Sequence, residues 1–212
     1  MSKRFLVLFQ GDSITDCGRN RENHNSLGSG YAMMSAALFQ SQNPELDVKF
    51  LNRGISGNRA INLLDRWKED CLDLKPDLVS ILIGINETGH GIVNKNITTP
   101  EAYAVHYRKL LTQIRENLDT KIIIMEPFLL HVNEEKRTIW RDDLNPRIRI
   151  VRELAREFKA YYIPLDGIFA AASTLRPPEF WAADGVHPTP AGHALISRHW
   201  LGVAEPIIKS AF

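Results

Sequence analysis

Five short apolar runs recur along the chain, separated by longer stretches with helical spacing. The runs are Phe5–Phe9, Val48–Leu51, Leu78–Ile83, Ile122–Met125 and Tyr161–Leu165. Several are apolar at consecutive positions, as strands are when helices cover both faces of a sheet. Between them, Ile61, Leu64, Trp67, Cys71 and Leu74 form one stripe. Tyr103, Tyr107, Leu110, Leu111, Ile114 and Leu118 form a second, and Ile148, Val151, Leu154, Ala155 and Phe158 a third. Thr99-Pro100 and Thr189-Pro190 each read as an N-cap followed by proline at the first helical position. Tyr31–Phe39 is expected to be helical as well. Strand and helix alternate throughout, which predicts an α/β fold: a three-layer α/β/α sandwich around a parallel sheet of about five strands.

The 212 residues fit one domain spanning 1–212, and no shift in composition marks a boundary. A net charge of +1 with no basic run excludes a global field for nucleic acid or an acidic membrane. Met1-Ser2-Lys3-Arg4 followed by apolar residues mimics a signal peptide, but Gln10 and Asp12 follow without a small-residue cleavage site, so the run is expected to be the first strand. No segment approaches the roughly 20 apolar residues of a membrane span. Cys17 and Cys71 form neither a disulfide framework nor a metal motif, and that usage fits a cytoplasmic protein with free thiols.

The polar chemistry gathers where strands end. The first delivers Gly11-Asp12-Ser13, the second Asn52-Arg53-Gly54-Ile55-Ser56-Gly57-Asn58, and the third Gly84-Ile85-Asn86-Glu87. Asp184-Gly185-Val186-His187-Pro188-Thr189 precedes the last helix. In a parallel sheet these clusters share the carboxyl edge, where ligands of such folds bind. The irregular stretches 16–30 and 126–144 and the long connection 166–185 are expected at that edge too.

Taken singly, each residue has a plain structural reading: Ser13 as a helix cap, Gly54 and Gly57 as turn glycines, Asn86 and Asp184 as turn formers, His187 as a surface histidine. Together they supply what acyl transfer needs: a nucleophilic oxygen, a base near neutral pKa, an acid to orient it, and donors for an oxyanion. Ser13 is the candidate nucleophile, His187 the base and Asp184 its orienter. The Asp-x-x-His spacing puts acid and base on one tight loop. The backbone N–H groups of Ser13 and Gly54 and the side-chain amide of Asn86 are the candidate donors.

At these residues the chain resembles the SGNH hydrolases, the GDSL esterase/lipase family. Gly-Asp-Ser-Ile at 11–14, Gly54 within Arg-Gly-Ile-Ser-Gly-Asn, Asn86 within Gly-Ile-Asn-Glu, and Asp184 with His187 match the four blocks in family order. The stretches GDSITDCGR, NRGISGN and DGVHPTPAGH resemble the intracellular bacterial acetyl-xylooligosaccharide esterases. The resemblance implies a serine esterase with Ser13, Asp184 and His187 as its triad and Ser13, Gly54 and Asn86 around the oxyanion. It implies a small acetylated carbohydrate as substrate and no cofactor. One departure stands out: the third block usually ends Asn-Asp, and here it reads Asn86-Glu87.

Asp12, Trp181 and Glu126 are further candidates for contact with a sugar, and Trp140 is a candidate for stacking; Glu126 can equally cap a turn, Trp181 can pack over the histidine loop, and burial is the commoner use of any tryptophan. Compact turn residues (Gly11, Gly54, Ser56, Gly57) favour acetyl over a long acyl chain. Related sugar esterases often assemble, and Trp200 and Phe212 are candidates for a contact in a homo-oligomer. Two other functions fit parts of the pattern. A metal-dependent phosphoesterase could use Asp12, Asp16, Asp184 and His187, although no Asp-x-Asp or His-x-Asp pair follows the first strand. A non-catalytic binding module could use the same flavodoxin-like sheet, but it has no need of Asp-x-x-His opposite a strand-end serine.

Overall fold

A computed structural model describes residues 4–212. The charged lead Met1–Lys3, which suggested the signal-peptide mimic, lies outside the described residues. Five parallel strands form one sheet: β1 (Phe5–Gly11), β2 (Val48–Asn52), β3 (Leu78–Leu82), β4 (Lys121–Met125) and β5 (Tyr161–Ile163), in the order β2-β1-β3-β4-β5. The connections are α1 (Ser13–Asp16), α2 (Tyr31–Gln42), α3 (Ala60–Asp65), α4 (Ile85–Asn94), α5 (Pro100–Asn117), α6 (Arg141–Glu157), α7 (Leu165–Ala172), α8 (Pro178–Trp181) and α9 (Pro190–Lys209). Five-residue π-helical turns, Lys68–Leu72 and Lys136–Trp140, follow α3 and precede α6.

The pleat explains why the strands read as mostly apolar on both faces. Val7 and Phe9 face one layer with Phe50, Ile123 and Met125, where α2 and α9 pack. Leu8 faces the other with Leu51, Ile122 and Ile124, where α3, α5 and much of α6 pack. Ser80 is the polar exception within β3, and its Oγ accepts the indole N–H of Trp200 at 2.9 Å. Trp200 is fully buried, which corrects its expected place on a surface contact; Phe212 is half exposed.

Both Thr-Pro starts form as expected. Thr99 Oγ1 accepts from Ala102 N–H at 3.2 Å and Thr189 Oγ1 from Gly192 N–H at 3.3 Å. Two boundaries differ. β5 stops at Ile163 because Pro164 follows, and Leu165 opens α7 instead of extending the strand. The connection 126–144 is also more regular than expected, since its second half is helical. Cys17 and Cys71 are free. Among the described residues no helix is long and apolar enough to cross a membrane.

The strand order reverses direction between β1 and β3, and such a switch point opens a crevice at the carboxyl ends of the two strands. Ser13 follows β1 and Asn86 follows β3, so the fold itself brings these two segments side by side.

Candidate active site

Strand β1 runs directly into α1. Asp12 is the N-cap, its Oδ1 accepting from Ile14 N–H at 3.0 Å, and Ser13 is the first helical residue. Ser13 Oγ lies 2.9 Å from Nε2 of His187. His187 Nδ1 lies 2.7 Å from Oδ2 of Asp184. A carboxylate can only accept, so Nδ1 carries the ring proton and Nε2 is free to accept from the serine hydroxyl. Asp184 Oδ1 also accepts from the backbone N–H groups of His187 (2.7 Å) and Val186 (2.9 Å). Partial burial works to raise the Asp184 pKa, but these three hydrogen bonds outweigh it and hold the carboxyl below its ordinary range.

The histidine loop is fixed on both sides. Gly185 has φ +82°, and a Cβ there would lie 2.5 Å from the Leu130 carbonyl oxygen, so only glycine fits. Leu130 N–H donates to Gly185 O at 2.9 Å, tying this loop to the segment after β4. Thr189 N–H donates to Trp181 O, and Thr189 Oγ1 to Phe180 O.

The second cluster is organised by Asn52, the last residue of β2. Its Nδ2 donates to Thr15 O (2.6 Å) and Leu27 O (2.9 Å), which fixes the amide orientation. Its Oδ1 accepts the Gly54 N–H at 2.8 Å. This corrects the expectation for Gly54: its N–H is held by Asn52 and is not aimed at an incoming oxygen. The reason for glycine at 54 is close approach, since a Cβ would lie 2.5 Å from Asp16 N, in the backbone of α1. Arg19 clamps the next peptide through Nη2 to Gly54 O at 2.9 Å. Three residues on, Gly57 has φ +82° with nothing within 4 Å of a would-be Cβ. Its N–H is bonded to no acceptor among the described residues, and the same holds for Ser13 N–H. Asn86 donates one amide hydrogen to Asn58 O at 3.0 Å and keeps the other free.

The remaining candidates have structural partners. Asp12 is 1 % exposed and caps α1, so it does not meet a sugar. Glu126 is fully buried, accepting from Arg152, Tyr162 and the Asp166 N–H at the start of α7. It holds a helix start to the end of β4, which corrects its expected contact with substrate. Trp181 donates its indole N–H to Ala172 O at 3.2 Å, and its ring lines a groove between α7 and α9. Trp140 is buried, and the Lys136 ammonium covers its ring face at 2.8 Å from the centroid, so no sugar stacks there. Asp16 Oδ2 is engaged by Arg21 and by the N–H and hydroxyl of Ser56. Among the described residues no three His, Cys, Asp or Glu side chains are grouped to hold a metal ion, so the ligand set of the phosphoesterase alternative is not assembled.

Comparison with protein families matches residues 9–195 to the GDSL-like Lipase/Acylhydrolase family. The chain belongs to that family. It is a carboxylic ester hydrolase. It is 35 % identical to an acetylxylan esterase of Geobacillus stearothermophilus, over 92 % of this chain and 91 % of that protein. The crystal structure of that organism's Axe2, an acetylxylan esterase, superposes with a TM-score of 0.86 at 33 % identity, covering 95 % of this chain and 94 % of the other. Axe2 has also been solved as catalytic mutants in which a serine, an aspartate or a histidine is replaced by alanine. A candidate GDSL-like lipase from Parabacteroides merdae superposes with a TM-score of 0.90 at 37 % identity, covering 95 % of this chain and 96 % of that one.

Proposed function

We propose that this esterase removes acetyl groups from short xylan fragments or closely related plant cell-wall sugars through an acetyl-serine intermediate, the whole chain acting as one catalytic domain. The observation that carries the reading is the continuous relay from Ser13 Oγ to His187 Nε2 (2.9 Å) and from His187 Nδ1 to Asp184 Oδ2 (2.7 Å). Ser13 Oγ attacks the ester carbonyl carbon while His187 takes its proton. Asp184 keeps the ring in the productive tautomer and stabilises the imidazolium. The oxyanion rests on three N–H groups: Ser13 backbone, Asn86 side chain, and the Gly57 backbone in place of Gly54. The free state of the Gly57 N–H supports that exchange. His187 then protonates the departing sugar oxygen, water attacks the acetyl-serine with the same histidine as base, and acetate leaves.

The acetyl-sugar substrate is supported by the likeness to an acetylxylan esterase and by the small residues Ser56 and Gly57 on the donor loop. The test is kcat/KM on acetylated xylo-oligosaccharides, followed as acetate release, beside p-nitrophenyl octanoate. The reading expects the sugar esters to be preferred. A preference for the octanoate contradicts the short-acyl assignment.

A further inference from the structure

Two acids lie beneath this site that the mechanism does not use. Asp12 caps α1, and Glu87 sits in the first turn of α4; each is 1 % exposed. They leave neighbouring strand ends, because Gly11 of β1 is in register with Leu82 of β3. Each uses one carboxyl oxygen: Asp12 Oδ1 accepts from Ile14 N–H, and Glu87 Oε1 from Ala60 N–H at 2.6 Å. Each leaves the other oxygen, Asp12 Oδ2 and Glu87 Oε2, buried and without a partner.

Two bare carboxylates in such a place are costly, and nearby cations do not bond to them. Arg59 reaches from the start of α3 to Asn96 and Thr98. Arg147 of α6 is turned to Asp143 and to the Thr98 carbonyl. Both arginines act on Glu87 only through space. The other facing groups are the neutral phenols Tyr31 of α2 and Tyr103 and Tyr107 of α5. Burial pushes Asp12 up to about 7, with the Glu87 charge adding to the rise, and burial pushes Glu87 up to about 7 as well.

We propose that Asp12 and Glu87 work as one buried acid, keeping a single proton between them near neutral pH, and that this proton joins the helix carrying Ser13 to the helix carrying Asn86. The proton makes one carboxyl a donor and the other its acceptor, so one hydrogen bond satisfies both stranded oxygens. Glu87 Oε1 extends the tie to Ala60, just past Asn58, which itself accepts from Asn86. Three strand-end segments are thereby held in register by two positioning residues. The effect on turnover rests on the proposed roles of Ser13 and Asn86; the proton itself does not.

Both acids bind protons more tightly folded than unfolded. The stability they contribute is therefore fully present below about pH 4 and is lost as pH rises through about 7. Thermal unfolding of wild type, Glu87→Gln and Asp12→Asn is followed from about pH 5 to about pH 8. Wild-type Tm is expected to fall by on the order of 5 °C more than that of either variant across this range. Parallel Tm curves overturn the proposal. Infrared spectra of wild type alone cover the case of variants that do not fold: a protonated carboxylic-acid carbonyl band is expected at neutral pH, and its absence overturns the proposal. In turnover of p-nitrophenyl acetate, the ratio of Glu87→Gln to wild-type kcat is expected to rise about threefold above neutral pH, and Glu87→Asp to keep the wild-type profile. A flat ratio refutes the positioning role. Unfolding and infrared readouts involve no catalysis, so their failure is distinct from failure of the triad assignment.

Discussion

Asn52→Asp gives a sharp test of how the donor loop is built. The carboxamide is fully buried and makes three hydrogen bonds, to Gly54 N–H at 2.8 Å, Thr15 O at 2.6 Å and Leu27 O at 2.9 Å. Aspartate has the same shape and keeps the acceptor for Gly54. It replaces both donors with an oxygen that faces two carbonyls. Losing two buried hydrogen bonds costs about 1 kcal/mol each, and stranding the acceptors beside a buried charge brings the total to about 3–5 kcal/mol. For a chain of this length each kcal/mol moves Tm by about 2–4 °C, so a fall of about 6–20 °C is expected. The new acid has a strong reason to protonate, since its O–H can donate to Thr15 O. Its folded pKa is raised, so the variant's stability is best at low pH and is lost as pH rises. Thermal melts of both proteins from about pH 5 to about pH 8 should show the gap widening with pH. A Tm within about 2 °C of wild type at the alkaline end would refute the claim that Asn52 holds this loop.

Further substitutions test other joints of the site. Gly185→Ala puts a Cβ 2.5 Å from Leu130 O at φ +82°, and the resulting shift of the histidine loop should lower kcat/KM by on the order of 10²-fold; unchanged kinetics would show that the loop tolerates displacement. Glu126→Ala should lower Tm by several degrees while leaving KM for acetylated sugars unchanged, because Arg152, Tyr162 and the Asp166 N–H lose their acceptor; a raised KM with an intact Tm would return Glu126 to the substrate. Asn86→Ala should reduce kcat by about 10²–10³ with little change in KM, read on p-nitrophenyl acetate. Asp184 has a depressed pKa, so its contribution to stability is present above the ordinary aspartate range and lost as pH falls below that range through the lowered folded value; Asp184→Asn should therefore flatten the acid limb of the unfolding curve.

The strands β1 to β4 were legible because helices cover both sheet faces, leaving runs that are mostly apolar, broken only by single polar residues such as Lys49 and Ser80. The end of β5 was not, because Leu165 continues the apolar run while Pro164 has already broken the ladder. Ser13 and Asn86 share an edge because their segments leave the parallel neighbours β1 and β3, which follows from strand order; Asp184 and His187 lie beyond β5, on the loop between α8 and α9, and reach the same edge through the tie of Gly185 to Leu130 after β4. Which glycine offers its N–H could not be read the same way. Gly54 and Gly57 differ through a hydrogen bond that Gly54 N–H donates to Asn52, two residues before it, and through the backbone of α1 pressed against residue 54. An asparagine closing a strand just before a glycine was the available signal. Glu126 and Trp140 stayed open between a structural role and a sugar contact for a related cause: their partners, Arg152, Tyr162 and Lys136, lie on segments whose packing the local pattern does not reveal.

The central claim is that Ser13 carries the acyl group, and intact-mass analysis during turnover of an acetyl ester tests it most directly. Acid quenching of wild type during turnover, with peptide mapping, should find one acetyl group on the peptide containing Ser13 and none in Ser13→Ala, whose turnover should fall by about 10⁴ or more. An acetyl group on another residue, or Ser13→Ala turning over p-nitrophenyl acetate at the wild-type rate, would contradict the account.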